Sequence, residues 1–301
     1  MPKGGITRRE FLGKLGKLGL GLGTVVAGRA LGFPRLPEPE PARRDVRLHI
    51  VEGSFANVGE LRDYLSRELA KTENESGTHF FLLGEGAVLD YFKKTHAENK
   101  ETVREIVALF KNHGNAHAIF TAYERHVHGN VSNTLWFLSP DGFQAQAKRW
   151  YTPANAKVLR DYVKSLHPAD LEREIANRSG HWWARGFRMS RRRGEGAAFP
   201  STKVFGVKVT AANCIDAREA IKKTRGREVL LVPAMGFPYW EKYMHGAPFG
   251  AVNDSKGGIY EHKIIIGRNI FSLTQKRLTF INAALSGYGV RLIIENGGKK
   301  K

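Results

Sequence analysis

The sequence holds a single cysteine in 301 residues. One cysteine excludes an intramolecular disulfide and a zinc site built on a Cys-x-x-Cys pair. Hydrophobic residues make up 42% of the chain and charged residues 26%. That balance excludes a mostly disordered protein, a collagen-like repeat and a disulfide scaffold. At roughly 150 residues per domain, the length fits one large domain or two small ones.

Acidic residues are also scarce, with 29 Asp and Glu against 48 Lys and Arg, which gives a formal net charge of +19. Part of this excess lies in residues 1–31, where six basic residues accompany one acid and give a local charge of +5. A charge of +14 therefore remains on the rest of the chain. Such a surface favours anionic partners, for example lipid headgroups, cell-wall polymer or nucleic acid.

The N-terminus lacks a hydrophobic run of the length that spans a membrane. It reads Thr-Arg-Arg-Glu-Phe-Leu over residues 7–12, followed by a weakly apolar run with several glycines over residues 15–27. This order closely resembles a twin-arginine export signal. The alternative is a basic amphipathic helix on a membrane or on nucleic acid. We expect residues 1–31 to engage the twin-arginine translocation machinery, and the protein to be periplasmic or in the cell envelope; cleavage after Ala30 and an uncleaved anchor both stay open.

Residues 32–44 contain four prolines between positions 33 and 41, which predicts an extended linker. From residue 45 to residue 298, strand and helix signals alternate. The predicted strands are 46–51, 79–83, 116–123, 133–138, 143–150, 204–212, 228–232, 278–282 and 292–294, and the predicted helices are 61–69, 103–110, 217–224 and 264–273. This order predicts an α/β fold with one inserted hairpin and a sheet core covered by helices on both sides.

Residues 155–200 break this rhythm with many Lys and Arg residues around Trp182 and Trp183. Basic stretches with interleaved aromatic residues can bind single-stranded nucleic acid. Here no nucleic-acid-binding motif accompanies the charges, and they do not fall on one clear face. We therefore interpret the segment as a basic insertion that forms a lid or an oligomer contact, and we do not expect a nucleic-acid partner.

Cys214 lies between a predicted strand and a predicted helix. Such a junction can hold a side chain in a cleft, and the helix N-terminus favours a thiolate and later an oxyanion. The alternative is a buried and inert cysteine. Two charged residues also stand at strand ends, Glu85 after the strand 79–83 and Lys148 at the end of the hairpin. A single charged residue at the end of a strand is usually just exposed to solvent.

In the order Glu85, Lys148, Cys214, these residues resemble the nitrilase, or carbon–nitrogen hydrolase, superfamily over residues 46–294. The segment 214–218, Cys-Ile-Asp-Ala-Arg, is similar to the family's cysteine elbow. The segment 230–234 resembles the strand that ends in Pro-Ala. Asn133-Thr134 with the Ser-Pro-Asp-Gly turn at 139–142 resembles the family's Asn-Thr strand and its turn.

The resemblance implies a four-layer α-β-β-α sandwich, with its last strands in doubt because the chain stops early. It implies a homodimer or higher homo-oligomer and no metal or organic cofactor. It also implies roles: Cys214 as nucleophile, Glu85 as general base and Lys148 as the group that stabilises the oxyanion, aided by the backbone N–H of Ile215.

Some assignments stay open. Arg149 is adjacent to Lys148, and a register slip of one would exchange their roles. The family commonly has a second supporting acid between the lysine and the cysteine; Glu195 is preferred, with Glu172 and Glu174 as alternatives. The histidines near residue 120 do not predict a metal site, since no carboxylate pair stands at ligand spacing.

The sequence therefore predicts a thiol-dependent hydrolase of non-peptide carbon–nitrogen bonds. Its substrate would be a small amide, ranked ahead of a nitrile. The alternative function is a non-catalytic, exported protein that binds polyanions on a nitrilase-like scaffold. The loops 86–100, 124–132 and 236–262 would shape the pocket.

Overall fold

The computed structural model describes residues 44–73, 75–90, 93–125, 131–149, 198–223, 228–235, 249–255, 261–266, 269–276, 278–279, 282 and 290–297. The chain divides into two units, Met1–Ala42 and Arg43–Lys301, and the described residues belong to the second. The predicted export signal and most of the predicted basic insertion therefore lie outside the described residues. Among the helices that the structure describes, none has both the length and the apolar character needed to cross a membrane.

The first sheet has the strand order β12-β1-β2-β3-β4-β5. Its strands are β1 (Arg44–Val51), β2 (Thr78–Leu83), β3 (Ala116–Arg125), β4 (Val131–Ser139), β5 (Gly142–Ala147) and β12 (Val290–Gly297). Strands β12, β1, β2 and β3 are mutually parallel, and β3, β4 and β5 pair antiparallel. The carboxyl ends of β1, β2, β3 and β5 therefore lie at one edge of this sheet.

The second sheet has the order β11-β10-β9-β8-β7-β6. Its strands are β6 (Ser201–Val204), β7 (Val207–Ala211), β8 (Glu228–Ala234), β9 (Phe249–Asp254), β10 (Glu261–Ile266) and β11 (Asn269–Ser272). Strands β7, β8 and β9 are parallel, while β6 pairs antiparallel with β7, β10 with β9, and β11 with β10. A parallel centre of this kind brings the carboxyl ends of β7, β8 and β9 together.

The helices are α1 (Val58–Lys71), α2 (His96–His113) and α3 (Ala217–Lys223). The side chain of Asn57 caps α1 by accepting the N–H of Glu60 at 3.0 Å. Thr95 and Glu98 form a reciprocal capping box at the start of α2, and Gly114 ends that helix in the left-handed conformation. These caps satisfy backbone groups that a helix end leaves unpaired.

The two sheets share one hydrophobic cluster, and the opposite face of each sheet packs on helices. On β2, Phe80 and Leu82 point into a cluster with Leu231 of the second sheet, whereas Phe81 and Leu83 pack with α1 and α2. On β8, Leu230 packs instead with α3. The alternation of side chains along each strand produces these separate faces. The predicted α/β class, with a sheet core covered by helices, is confirmed.

The predicted single strand 204–212 is wrong, because the structure contains two short antiparallel strands, β6 and β7. The turn between them consists of Phe205 with φ of 51° and Gly206 with φ of 80°. Positive φ at both central residues is the geometry of a two-residue hairpin turn that matches the strand twist. A bulky Phe at the first position conceals this turn from sequence patterns.

Two further predictions in the C-terminal part are wrong. The predicted helix 264–273 is the antiparallel pair β10 and β11, which agrees with its run of β-branched residues; Ile264 and Ile265 are buried. The predicted strand 278–282 is helical where it is described, and the hydroxyl of Thr279 donates to the carbonyl of Gln275 at 3.0 Å. Short apolar runs do not distinguish the two structures by periodicity.

The sequence predicts a loop over 236–262, yet strand β9 lies within that range and in the centre of the second sheet. Gly250 explains both the weak strand signal and the central position of β9, because a Cβ at this residue would lie 2.1 Å from the backbone oxygen of Leu230. Glycine weakens the strand signal but permits this close approach.

We expect Gly250→Ala to lower the free energy of unfolding by about 1–3 kcal/mol or more, since the added methyl meets backbone that cannot move aside. Urea unfolding followed by circular dichroism measures this change. Gly59→Ala is the matched control, because its Cβ would meet only the exposed Asn57 side chain, at 3.0 Å. Equal stabilities of Gly250→Ala and the unmodified protein would contradict the packing.

Candidate active site

Polar contacts join the strand ends of the two sheets. Asn253, on β9, donates from Nδ2 to the carbonyl oxygens of Val51 at 2.9 Å and Leu82 at 2.8 Å. One buried side chain of the second sheet therefore holds the ends of β1 and β2 in the first. This contact fixes the relative position of the loops that follow those strands.

Glu85 lies two residues after β2, in a loop that is bound to the second sheet. Its backbone N–H donates to Ala234 at 3.1 Å, and its carbonyl accepts the hydroxyl of Ser255 at 2.8 Å. Gly84 makes room for this contact, because a Cβ there would lie 2.7 Å from Cβ of Ser255. The Glu85 side chain is only 1% exposed. The loop thus places the carboxylate in the interior, at the edge where the strands end.

Lys148 follows β5 directly and lies against this carboxylate. Its backbone N–H donates to Asn133 at 2.8 Å, which continues the β4–β5 ladder by one more bond. Its Nζ forms a buried ion pair with Oε1 of Glu85. Burial alone would lower the pKa of Lys148, but attraction to its acidic neighbours, Glu85 first, outweighs burial and raises the pKa. The amine is therefore an ammonium ion inside the protein.

Cys214 occupies the predicted junction between a strand and a helix. It comes after β7 and begins a 3-10 turn, Cys214–Asp216, that leads into α3. Its φ of 44° lies in the left-handed region, which non-glycine residues seldom adopt. Backbone strain of this kind costs on the order of 1–3 kcal/mol and is concentrated at functional sites. The strained turn lifts the thiol out of the strand path toward the loop of Glu85.

The thiol of Cys214 lies close enough to Glu85 for the carboxylate to act on its proton. Burial and the negative charge of Glu85 raise the thiol pKa far above its usual range, and this outweighs the opposite effects of Lys148 and the backbone of Met235. The resting thiol is therefore protonated near neutral pH. A nucleophilic sulfur must lose its proton as it attacks, and Glu85 is the carboxylate in position to accept it.

Asn133 is a site residue that the sequence identifies only as part of the Asn-Thr strand motif, without a role in the site. It lies on β4, is fully buried, and donates from Nδ2 to Oε1 of Glu85 at 2.6 Å. The signal available in the sequence was an amide side chain between Ser132 and Thr134 at the start of a predicted strand. Its side chain thus reaches the same oxygen as the Lys148 ammonium.

Arg149 and Lys148 point to different partners. The Arg149 backbone N–H donates to Oδ2 of Asp216 at 2.7 Å, and its guanidinium pairs with Glu219 at 2.9 Å and covers the ring of Phe199 at 4.2 Å. Arg149 therefore faces α3, and Lys148 is the cation at Glu85. Ile215 is half-buried beside the thiol. Glu195, Glu172 and Glu174 lie outside the described residues.

No family model matches the sequence, and no curated protein matches it. Its structural neighbours include amidases and a carbon–nitrogen hydrolase.

The neighbours are remote in sequence. An amidase from Nesterenkonia sp. is 12% identical with a TM-score of 0.47, covering 82% of this chain and 98% of its own. A mutant of the Nesterenkonia AN1 amidase, from the nitrilase superfamily, is 12% identical with a TM-score of 0.48, covering 82% and 97%. A carbon–nitrogen hydrolase from Helicobacter pylori G27 is 12% identical with a TM-score of 0.43, covering 73% and 81%. At these values we transfer the role of no residue from them.

Glu124 and His117 are buried polar side chains that lie outside this site. Glu124 accepts from Asn99 at 2.9 Å and Trp136 at 2.8 Å, and its second oxygen contacts the His96 ring at 2.9 Å, so it anchors α2 to the sheet. His117 stacks on Phe80, and burial lowers its pKa to about 4. Within the described residues, no three His, Cys, Asp or Glu side chains gather as they would around a metal ion.

An apolar cavity lies between the sheets, away from the three site residues. Its lining includes Val46, Phe80, Val229 and Leu292, which come from the central and amino-terminal parts of their strands. The reactive groups lie beyond the carboxyl ends of the strands. The cavity is therefore a feature of the packing between sheets and is separate from the edge where Glu85, Lys148 and Cys214 lie.

Proposed function

We propose that the protein is a thiol-dependent hydrolase of non-peptide carbon–nitrogen bonds, with small amides as preferred substrates. The observation that carries this proposal is one buried carboxylate, Glu85, which contacts both the ammonium of Lys148 and the thiol of Cys214. An acid, a cation and a nucleophile in contact are the groups that acyl transfer requires. All three groups are buried, and the exclusion of water strengthens the electrostatic interactions among them.

In the first half of the reaction, the Cys214 sulfur attacks the amide carbon and its proton passes to Glu85. The carbonyl electron pair moves to oxygen, and the oxyanion is stabilised by the Lys148 ammonium and the backbone N–H of Ile215. The carbon–nitrogen bond then breaks while Glu85 returns the proton to nitrogen. Ammonia or an amine leaves, and a thioester remains on Cys214.

In the second half, Glu85 takes a proton from water as the water oxygen attacks the thioester carbon. The tetrahedral intermediate again places its negative charge beside Lys148. The carbon–sulfur bond breaks, the sulfur recovers a proton from Glu85, and the carboxylic acid leaves. One water and one amide thus give one acid and one amine, and the enzyme returns to its starting state.

A panel of small amides, N-carbamoyl compounds and nitriles tests the reaction class. Ammonia release and acid formation are measured together, with the Cys214→Ala protein as the control. We expect equal amounts of ammonia and acid from at least one small amide, and none with the control. Ammonia from the control at the unmodified rate would contradict a thiol mechanism.

The second candidate is a non-catalytic protein that binds polyanions, which the net charge of +19 favours. A binder would retain an anionic polymer equally well with and without Cys214 and would turn over no member of the panel. That pair of results would replace the hydrolase proposal.

We also propose that the protein is exported by the twin-arginine pathway and that it assembles into a homodimer or higher homo-oligomer. A reporter fused to residues 1–35 should leave the cytoplasm, because the adjacent arginines at 8 and 9 are the recognised pair. Fractionation of cells expressing the fusion measures export. Export of the fusion carrying Arg8→Lys with Arg9→Lys, at the level of the unmodified fusion, would contradict the export proposal.

Sedimentation of the purified protein measures its oligomeric state.

A further inference from the structure

Two buried histidines lie side by side on the face of the first sheet that packs on helices. His49 on β1 is 8% exposed and His79 on β2 is 1% exposed, and Nε2 of His49 lies 2.9 Å from Nδ1 of His79. The His49 ring also stacks on Phe81 at 4.6 Å, and Phe81 packs with α1 and α2. The proposed reaction makes no use of this histidine pair.

Charged side chains tie the histidine pair to β12. Glu295 on β12 is the register partner of His49, and its Oε2 lies 3.1 Å from Nδ1 of His49. The other oxygen of Glu295 pairs with Arg47 at 2.6 Å, and Arg47 also pairs with Glu75 at 3.3 Å. Glu75, which follows α1, and Glu68, within α1, add negative charge near His49. Strand β12 is thus held to β1 by an ionic network as well as by its backbone ladder.

The contacts fix where the hydrogens of the pair lie. A carboxylate only accepts hydrogen bonds, so Nδ1 of His49 carries the hydrogen that points to Glu295. In a neutral ring the other nitrogen is an acceptor, and Nε2 of His49 therefore takes the N–H of His79 Nδ1. Nε2 of His79 is then bare, and it has no hydrogen-bond partner among the described residues. An extra proton on the pair thus leaves one buried N–H without an acceptor, whichever ring holds the charge.

Acid favours any opening of the sheet that exposes this pair. A buried N–H without an acceptor and a buried positive charge both cost free energy, and contact with water removes both costs. Among the described strands of the first sheet, β12 ends the order and pairs only with β1, whereas β1 and β2 pair on both sides. Release of β12 therefore breaks one ladder, and it also removes Glu295 from His49.

We propose that His49 and His79 form a pH-sensitive switch that keeps β12 paired with β1 while both rings are neutral and releases β12 when the pair takes up a proton. The inference is independent of the proposed hydrolase function. Burial lowers the pKa of both histidines in the folded protein and outweighs the attraction of Glu295 and Glu75. The stabilising effect of the pair is therefore complete above the ordinary histidine value of about 6.5 and is lost as the pH falls through the folded values.

Hydrogen exchange of the full-length protein, read by mass spectrometry at about pH 7.5 and about pH 5, on either side of the histidine range, tests the switch. Peptides from β12 report release, and peptides from the interior strand β8 are the internal reference. After correction for the intrinsic effect of pH on exchange, protection of β12 should fall by about 10-fold or more, since each proton taken up changes the open population up to about tenfold per pH unit. Protection of β8 should stay constant.

Glutamine at both positions removes the titration but keeps groups for the contacts, because an amide donates and accepts hydrogen bonds without taking up a proton. In His49→Gln with His79→Gln, protection of β12 should no longer fall in acid. A merely structural role would instead lower protection at both pH values and leave its pH dependence unchanged. His113→Gln, at the end of α2, is the matched control and should keep the acid response.

Equal protection of β12 at the two pH values in the unmodified protein would overturn the inference, and so would a folded double variant that keeps the full acid response. Should the double variant fail to fold, His79→Gln alone decides, because it removes the nitrogen that takes the extra proton. That variant should lose at least about half of the acid response on a logarithmic scale.

Discussion

Replacing Cys214 with alanine should lower kcat/KM by at least about 10⁴-fold, because removal of a nucleophile leaves only substrate binding and oxyanion stabilisation. The fold should persist, since Cys214 packs among small apolar residues of α3 and β8 and alanine fills most of its volume. Hydrolysis of the best amide in the panel measures the first effect, and thermal unfolding measures the second.

Cys214→Ser is the control for the same site. It retains a hydroxyl in place of the thiol but is a much weaker nucleophile beside the same base. We expect it to fold like the unmodified protein and to lose nearly as much activity as the alanine variant. Activity of Cys214→Ala within tenfold, about 1.4 kcal/mol in the barrier, of the unmodified protein would contradict the role assigned to the sulfur.

The second large effect concerns the buried ion pair of Glu85 and Lys148. Glu85→Gln leaves a buried ammonium without its carboxylate, and Lys148→Met leaves a buried carboxylate without its ammonium. Each change should lower the free energy of unfolding by about 3–5 kcal/mol, as for other buried pairs that lose one partner. Each should also lower kcat/KM by about 10²–10⁴-fold, through loss of the base or of oxyanion stabilisation.

The double variant Glu85→Gln with Lys148→Met separates stability from catalysis. It removes both charges, so it should regain most of the stability that either single change loses, while activity stays low. Urea unfolding and amide hydrolysis are measured for the unmodified protein, the two single variants and the double variant. These measurements give one double-mutant cycle for stability and one for catalysis. Recovery of activity together with stability in the double variant would show that the pair is structural, and would remove both residues from the mechanism.

The ion pair also predicts a dependence of stability on pH. The pKa of Lys148 is raised in the folded protein, chiefly by Glu85 against the opposing effect of burial. Its contribution to stability is therefore complete below the ordinary lysine value of about 10.4 and is lost as the pH rises through the folded value. The double variant lacks this pair. Its stability should therefore fall less than that of the unmodified protein as the pH rises from about 9 through the folded pKa of Lys148.

The sequence could place Glu85 and Cys214 at the ends of strong strand signals, and the family resemblance joined them in one predicted site. Strand ends in open α/β sheets converge at one edge, and this places distant residues together. The sequence favours Lys148 over Arg149 but leaves a register slip of one residue open, since the side chains of adjacent residues differ only in direction. The structure separates them through contacts with Asp216, Glu219 and Phe199, which direct Arg149 toward α3.

Asn133 and Ser255 could not be found in the same way. Asn133 reaches Glu85 across 48 positions of the chain and Ser255 across 170, so only the packed sheets bring them together. Strand β9 was missed for a similar reason, because Gly250 is favourable only next to the Leu230 backbone. Local patterns record the elements of this fold, whereas the supporting contacts of the site depend on how the two sheets meet.

Alkylation of the sole cysteine offers the sharpest test of the acid, cation and thiol acting together. The protein is treated with graded amounts of iodoacetamide, the modified fraction of Cys214 is read from the intact mass, and amide hydrolysis is measured on the same samples. Activity should fall in proportion to the modified fraction and reach zero at complete modification. Hydrolysis that continues at its original rate on fully alkylated protein would contradict the mechanism.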